Sequence, residues 1–157
     1  MRTDEDYMNL ALDEARKAFA KDEVPVGAVV VSGERILAAA HNETVSAPDA
    51  AAHAEMIAIR EACRAAGNYR LTDARLYVTL EPCLMCAGAI LQARLARVVF
   101  GARDPKAGAV FSLYQVLHDP RLNHQVAVTE GILGEACGEI LSRFFKEKRV
   151  EAASRNA

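Results

Sequence analysis

No stretch of the chain approaches the roughly 18 consecutive apolar residues that a transmembrane helix needs, so no membrane partner is expected. Residues 1–23 carry Asp4, Glu5, Asp6, Asp13 and Glu14 and lack an apolar run of the signal-peptide kind, which points to a cytoplasmic protein. Positive charge is not in excess either. Nineteen Lys and Arg stand against 21 Asp and Glu, so the chain as a whole is not a basic nucleic-acid binder, and any contact with RNA needs a local basic patch. There is no internal repeat and no linker-like segment. Cysteine is sparse: Cys63, Cys83, Cys86 and Cys137 are the only four, in a chain that is not a short secreted one. The close pair Cys83/Cys86 therefore reads as metal-binding or catalytic rather than as a disulfide. What remains is an ordinary globular composition, 52% hydrophobic and 25% charged, long enough at 157 residues for one domain with a real core. That domain is expected over residues 1–150. Residues 151–157 lack periodicity and are expected as a flexible tail.

Periodicity lays out the elements. Met8, Leu12, Ala15 and Phe19 recur at helical spacing and predict an amphipathic helix over 4–21, ended before Pro25. The apolar run 26–31 reads as a buried strand, and residues 32–34 as a tight turn into a second strand at 35–40. An alanine-rich helix over 51–66 is closed by Gly67. A third strand spans 75–80. A helix then runs from Pro82, which suits a first helical position, to about residue 92. A fourth strand at 97–101, a loop at 103–110, a short helix at 111–117, a weak fifth strand at 125–128 and a final helix at 133–149 complete the order. Strands alternating with helices in the central part imply parallel pairing there, hence an α/β fold with one mixed five-stranded sheet and helices on both faces.

Two helix starts carry the chemistry: His53-Ala54-Glu55, and Pro82-Cys83-Leu84-Met85-Cys86. Cys83 and Cys86 are three apart, a usual spacing for two thiolate ligands of zinc, and helix N-termini lower thiol pKa values. His53 is the candidate third ligand. Two cysteines and one histidine leave the fourth tetrahedral position to water, the pattern of a catalytic rather than a structural zinc. Glu55 would stand beside that water without ligating the metal, as a general acid and base. Each residue alone has a blander reading. Cys-X-X-Cys occurs in redox pairs and zinc knuckles, His53 could cap a helix, and Glu55 could be solvated. His41, His118 or His124 could also close the site as a fourth ligand. The joint pattern is more specific, and it is a known signature of zinc nucleobase deaminases.

At this point the sequence resembles the bacterial tRNA-specific adenosine deaminases of the cytidine deaminase-like superfamily, from about Met8 to Arg149. The segments that carry the likeness are residues 24–28 (VPVGA), 53–55 (HAE), 68–71 (NYRL), 77–83 (YVTLEPC), 85–89 (MCAGA), 98–104 (VVFGARD) and 122–124 (LNH). The zinc motif alone points only to the superfamily; the last two segments point to the tRNA branch. The resemblance implies a three-layer α/β/α fold, one Zn2+ per subunit, and a homodimer with its active sites near the interface. It implies hydrolytic deamination of adenosine to inosine at the wobble position of a tRNA anticodon, with the anticodon arm as partner. It further implies that Asn42 and the backbone around Ala54 hold the target base, and that the loop around Asp104, Lys106 and Asn123 meets neighbouring nucleotides. The chain departs from the family at Phe111, where a small residue is expected before Ser112-Leu113; a bulky ring there would repack the loop or alter the pocket wall.

Some residues read both ways. Asn42 and Asn123 could be turn asparagines. The stretch 143–149 (RFFKEKR) interleaves aromatics and cations. It fits either an amphipathic helix with Phe144 or Phe145 in the core or an RNA surface on which Phe145 stacks on a base and Arg149 or Lys148 meets phosphate. Cys63 and Cys137 read as small core residues. Two rival functions remain open: a zinc deaminase of a free nucleobase or nucleoside of the guanine or cytidine type, and a zinc-stabilised RNA-binding domain without turnover.

Overall fold

Thr3 starts the first helix. Its hydroxyl accepts from the Asp6 N–H at 3.2 Å and the Asp6 carboxylate accepts from the Thr3 N–H at 2.7 Å, a reciprocal cap that suits the acidic first turn of α1 (Asp4–Ala20). In a computed structural model of the chain, which describes residues 1–156, the remaining elements are β1 (Gly27–Ser32), β2 (Arg35–His41), α2 (Ala54–Ala66), β3 (Ala74–Leu80), α3 (Leu84–Gln92), β4 (Arg97–Ala102), a 3-10 turn (Val116–His118), β5 (Ala127–Glu130) and α4 (Gly134–Arg155). The sheet order is β2-β1-β3-β4-β5. β1 runs antiparallel to both β2 and β3, while β3, β4 and β5 are parallel. This is the expected mixed five-stranded sheet.

Alternation along the central strands divides the core into two halves. Ala28, Val30, Leu76, Val78, Val98 and Phe100 pack with Ala58, Ala62, Ala87 and Ile90 of α2 and α3. Val29, Val31, Tyr77 and Val99 pack with Met8, Leu12 and Ala15 of α1 and with Cys137 and Ile140 of α4. The result is three layers, α/β/α. Gly67, at φ 67°, ends α2 in the left-handed conformation that glycine adopts without strain. Because β2 and β3 both run antiparallel to β1, the chain leaves β2 toward α2 and β3 toward α3 at the same end of the sheet.

Three boundaries differ from the sequence expectation. α3 starts at Leu84, not Pro82: Cys83 is extended (φ −79°, ψ 178°) and occupies the N-cap. Residues 111–115 are turn, bend and irregular chain rather than helix, and only Val116–His118 is helical, as a 3-10 turn. The amide groups of Val110, Phe111 and Ser112 all point at one oxygen of Glu81, which holds the segment off a helical path. Finally, α4 runs on through Arg155, so most of the expected flexible tail is helix; Ala157 lies outside the described residues. Residues 151–156 are exposed all round and bury no stripe, so no periodicity marks them, but Glu, Ala and Arg are good helix formers and Lys148 pairs with Glu151 at 3.3 Å.

Candidate functional site

His53 and Cys83 each occupy a helix N-cap, on α2 and α3, and neither uses its side chain to cap. Ser, Thr, Asp and Asn normally fill that position because their oxygens bond the free N–H groups. Here the capping function is given up and both side chains are left to point at one another. His53 Nδ1 lies 3.5 Å from Cys83 Sγ and 3.5 Å from Cys86 Sγ. The donor atoms of the three residues all fall within 4.8 Å of one another, a group that could hold a metal ion.

The donor set fits such an ion on its own chemistry. Cys86, buried at α3, hydrogen-bonds the Cys83 sulfur. That bond, helped by His53, pulls the Cys83 thiol down to about 3. The same contact, together with burial, drives the Cys86 thiol far up, and His53 is raised by its bond to Cys83. The two sulfurs cannot both ionise without a cation between them. A divalent ion removes that conflict.

Glu55 is buried, 4% exposed, beside the three donors but outside the group. Burial raises its carboxyl to about 7, against the pull of its own backbone N–H and of His53. The Cys86 thiol is its neighbour, and the two groups shift each other. The candidates for a fourth ligand are engaged elsewhere. His41 Nδ1 bonds Glu14 Oε1 at 3.1 Å, the His118 ring stacks on Phe111 at 5.0 Å, and His124 Nε2 donates to the Leu95 carbonyl at 2.7 Å.

The group opens into a cavity of about 250 Å³ whose walls include Val24, Val26, Leu80, Asn42, Glu55 and Asp104. Asn42 Oδ1 accepts from the Ala54 N–H at 2.8 Å, so it caps α2 in place of His53. Ala54 itself is fully buried and does not line the cavity; its N–H is spent on Asn42. Val24, Leu80 and Asp104 also line a second, wider groove of about 770 Å³, with Arg103, Lys106, Phe145, Lys148 and Arg149 along it. On the C-terminal helix, Phe144 is 6% exposed in the core, while Phe145 is 43% exposed in the groove. Lys148 is paired with Asp22 and Glu151, whereas Lys106 and Arg149 have no acidic partner among the described residues. Asn123 is not brought to this site. It lines a separate hollow with Gly88, Arg94 and His124.

Phe111, where a small residue was expected, does not reach the cavity wall. Its ring packs against Phe100 (6.1 Å between centroids), stacks on His118 and lies under the Arg103 guanidinium. The residue that the sequence reading missed is Glu81. One Glu81 oxygen accepts the N–H groups of Val110 (3.1 Å), Phe111 (2.8 Å) and Ser112 (3.0 Å); the other accepts the Asp104 N–H (3.0 Å) and the Ser112 hydroxyl. Glycine is required at 108, since a Cβ there would come within 2.3 Å of the Glu81 carboxyl. Glu81 thus pins the loop 104–112 that carries Asp104 and Lys106 into the groove. The available signal was a lone carboxylate between the apolar strand 76–80 and a helix start, a place where a charge needs partners.

Comparison with known proteins gives a consistent picture. The family model of MafB19-like deaminases matches residues 2–149. A tRNA-specific adenosine deaminase of Bacillus subtilis is 51% identical, the match covering 99% of this chain and 98% of that one. A solved structure from biochemical and structural studies of A-to-I editing by tRNA:A34 deaminases at the wobble position is 49% identical, with a TM-score of 0.83, covering 86% of this chain and 98% of that one. A guanine deaminase structure from Bacillus subtilis is more distant, at 32% identity and a TM-score of 0.65 over 80% of this chain and 83% of that one. Fold, donor group and sequence agree: the chain belongs to the MafB19-like deaminase family and, within it, to the tRNA-specific adenosine deaminases.

Proposed function

We propose that this protein deaminates adenosine to inosine at the wobble position of a tRNA anticodon, with zinc as its metal. The observation that carries the proposal is a three-donor group with Glu55 beside it, at the end of a cavity that adjoins a groove bearing Phe145, Lys106 and Arg149.

Zinc suits two thiolates and an imidazole with one tetrahedral position left open, one ion per subunit, held by His53, Cys83 and Cys86. When bound, it supplies the Lewis acidity that makes water nucleophilic at neutral pH. The chain's own residues do the rest. Glu55, with its carboxyl near 7, takes the proton of the attacking water on one oxygen. It delivers that proton to the purine ring nitrogen as water adds at C6, and a second proton to the departing amine, so that water and adenosine become inosine and ammonia. Val24, Val26 and Leu80 give the base apolar walls. Asn42 Oδ1 is committed to α2, which leaves its Nδ2 amide as the donor offered to the base. Asp104 and Lys106 meet the flanking nucleotides, Phe145 stacks on an unpaired base, and Arg149 meets phosphate. An anticodon loop base is already partly unstacked, so bringing it into the cavity costs less than extracting it from a duplex.

A homodimer in the cytoplasm completes the reading. Leu84, Leu113 and Tyr114 are each about half exposed, at 49%, 53% and 49%, and offer apolar contact to a second copy. No described helix is long and apolar enough to cross a membrane.

The test is mass spectrometry of an anticodon stem-loop with adenosine at the wobble position, incubated with the zinc-loaded protein. Inosine at that position is expected, and F145A and R149A are expected to raise KM. Unaltered turnover in both variants would shift the assignment to a free guanine or cytidine substrate. No inosine from zinc-replete protein would refute the proposal.

A further inference from the structure

Arg103 stands on the wall of the groove that adjoins the metal cavity, half exposed at 54% of its side chain. Two constraints hold its guanidinium. The Phe111 ring lies beneath it, 5.1 Å from its central carbon to the ring centroid. Glu130 grips one edge through two bonds, Nε to Oε1 at 2.8 Å and Nη2 to Oε2 at 2.9 Å. Phe111 in turn is anchored by Phe100 and His118 and through its amide to Glu81. A surface arginine ordinarily samples many rotamers; this one is fixed in plane and position.

That arrangement is poorly suited to a phosphate contact, because Glu130 already compensates the charge. It suits stacking, because a planar guanidinium presents a flat face to a base while its edge is held. We propose that Arg103, preset by Phe111 and Glu130, is a stacking platform for a nucleotide base adjacent to the target adenosine, and so contributes to choice of substrate. The inference rests on the RNA reading of the groove. It also gives Phe111 a purpose: the ring extends the stack outward instead of narrowing the cavity.

Binding is measured by fluorescence anisotropy on the zinc-loaded protein, with a wobble-adenosine stem-loop and with two further RNAs carrying an abasic nucleotide on one or the other side of the target. R103A is expected to weaken binding of the intact stem-loop on the order of tenfold, in the range of one lost stacking contact. R103K keeps the charge and loses the plane, and most of the loss should remain. F111L, which keeps apolar filling, should weaken binding by a smaller factor, about threefold. On one abasic RNA the wild-type and R103A proteins should bind alike. The proposal is overturned if R103K binds as wild type, if R103A loses the same factor on both abasic RNAs, or if F111L has no effect. Because binding is read apart from turnover, tight binding without inosine refutes the deaminase reading alone. Failure of the wild-type protein to bind the stem-loop refutes both.

Discussion

Replacing Glu81 with Gln tests how the site loop is held. Burial by itself would raise this carboxyl, but the bonds from Ser112, Phe111 and Asp104 outweigh it and pull the pKa from 4.5 to about 2. A folded value below the unfolded one means stability that is fully present above 4.5 and is lost as pH falls toward 2. The depression corresponds to about 3 kcal/mol, and about three-fifths of it is gone by roughly pH 3. The bonds give a similar figure independently. In E81Q the amide is best placed on the side facing Asp104 and Ser112, because the other oxygen serves three N–H groups. The Ser112 hydroxyl can reverse its role, but the Asp104 N–H then faces another donor. One stranded buried donor costs about 1–3 kcal/mol, and the remaining bonds lose their charge-assisted part. Urea unfolding of wild-type and E81Q proteins across pH reads this directly, since metal release in acid affects both and cancels in the difference. The expected difference is about 3 kcal/mol at neutral pH, shrinking to about 1.4 kcal/mol near pH 3. With the loop loosened, KM for the stem-loop should rise while metal content stays stoichiometric. A difference below about 1 kcal/mol at neutral pH, or one that does not change with pH, would refute the reasoning.

Two further outcomes follow from the metal group. E55Q should retain one zinc per chain by elemental analysis and lose about a hundred- to ten-thousandfold in kcat, the range of a lost proton shuttle; loss of zinc would instead make Glu55 a ligand. Stripping the metal with a chelator should abolish activity and lower the unfolding midpoint, with both restored by Zn2+. A chelated protein that keeps its full midpoint would refute a metal seated between α2 and α3.

Legibility in the sequence tracked the range of the interaction. The helical spacing of Met8, Leu12, Ala15 and Phe19, the apolar run entering β1 and the glycine after α2 are local signals, and they led to the right elements. His53, Glu55, Cys83 and Cys86 were readable from residue type and spacing, and the structure gathers them. The N-cap placement of His53 and Cys83 was not readable, because it depends on where each helix begins to within one residue. Glu81 was missed because its partners lie 23 to 31 residues downstream, on a loop whose path it determines. The helix expected over 111–117 failed for the same reason: local pattern lost to a carboxylate that claims three consecutive amides. Asn123 entered through resemblance, and the monomer puts it in another hollow.

The two N-caps explain why site and fold are one problem. A His and a Cys at positions that favour Ser or Asp give up about 1 kcal/mol each. Asn42 recovers part of that for α2 by accepting the Ala54 N–H; α3 has no side-chain cap at all. Its free N–H groups and the positive end of its dipole are left to act on the Cys83 sulfur, which is where negative charge is wanted. Without a cation the arrangement remains in conflict, one thiol pushed toward thiolate and its neighbour pushed away from it. A divalent ion held there would satisfy both sulfurs and the His53 nitrogen together and would tie the starts of α2 and α3 to each other. The same local sacrifice that weakens two helix ends therefore leaves a donor group that could hold a metal, beside the one buried carboxyl able to exchange a proton near neutral pH.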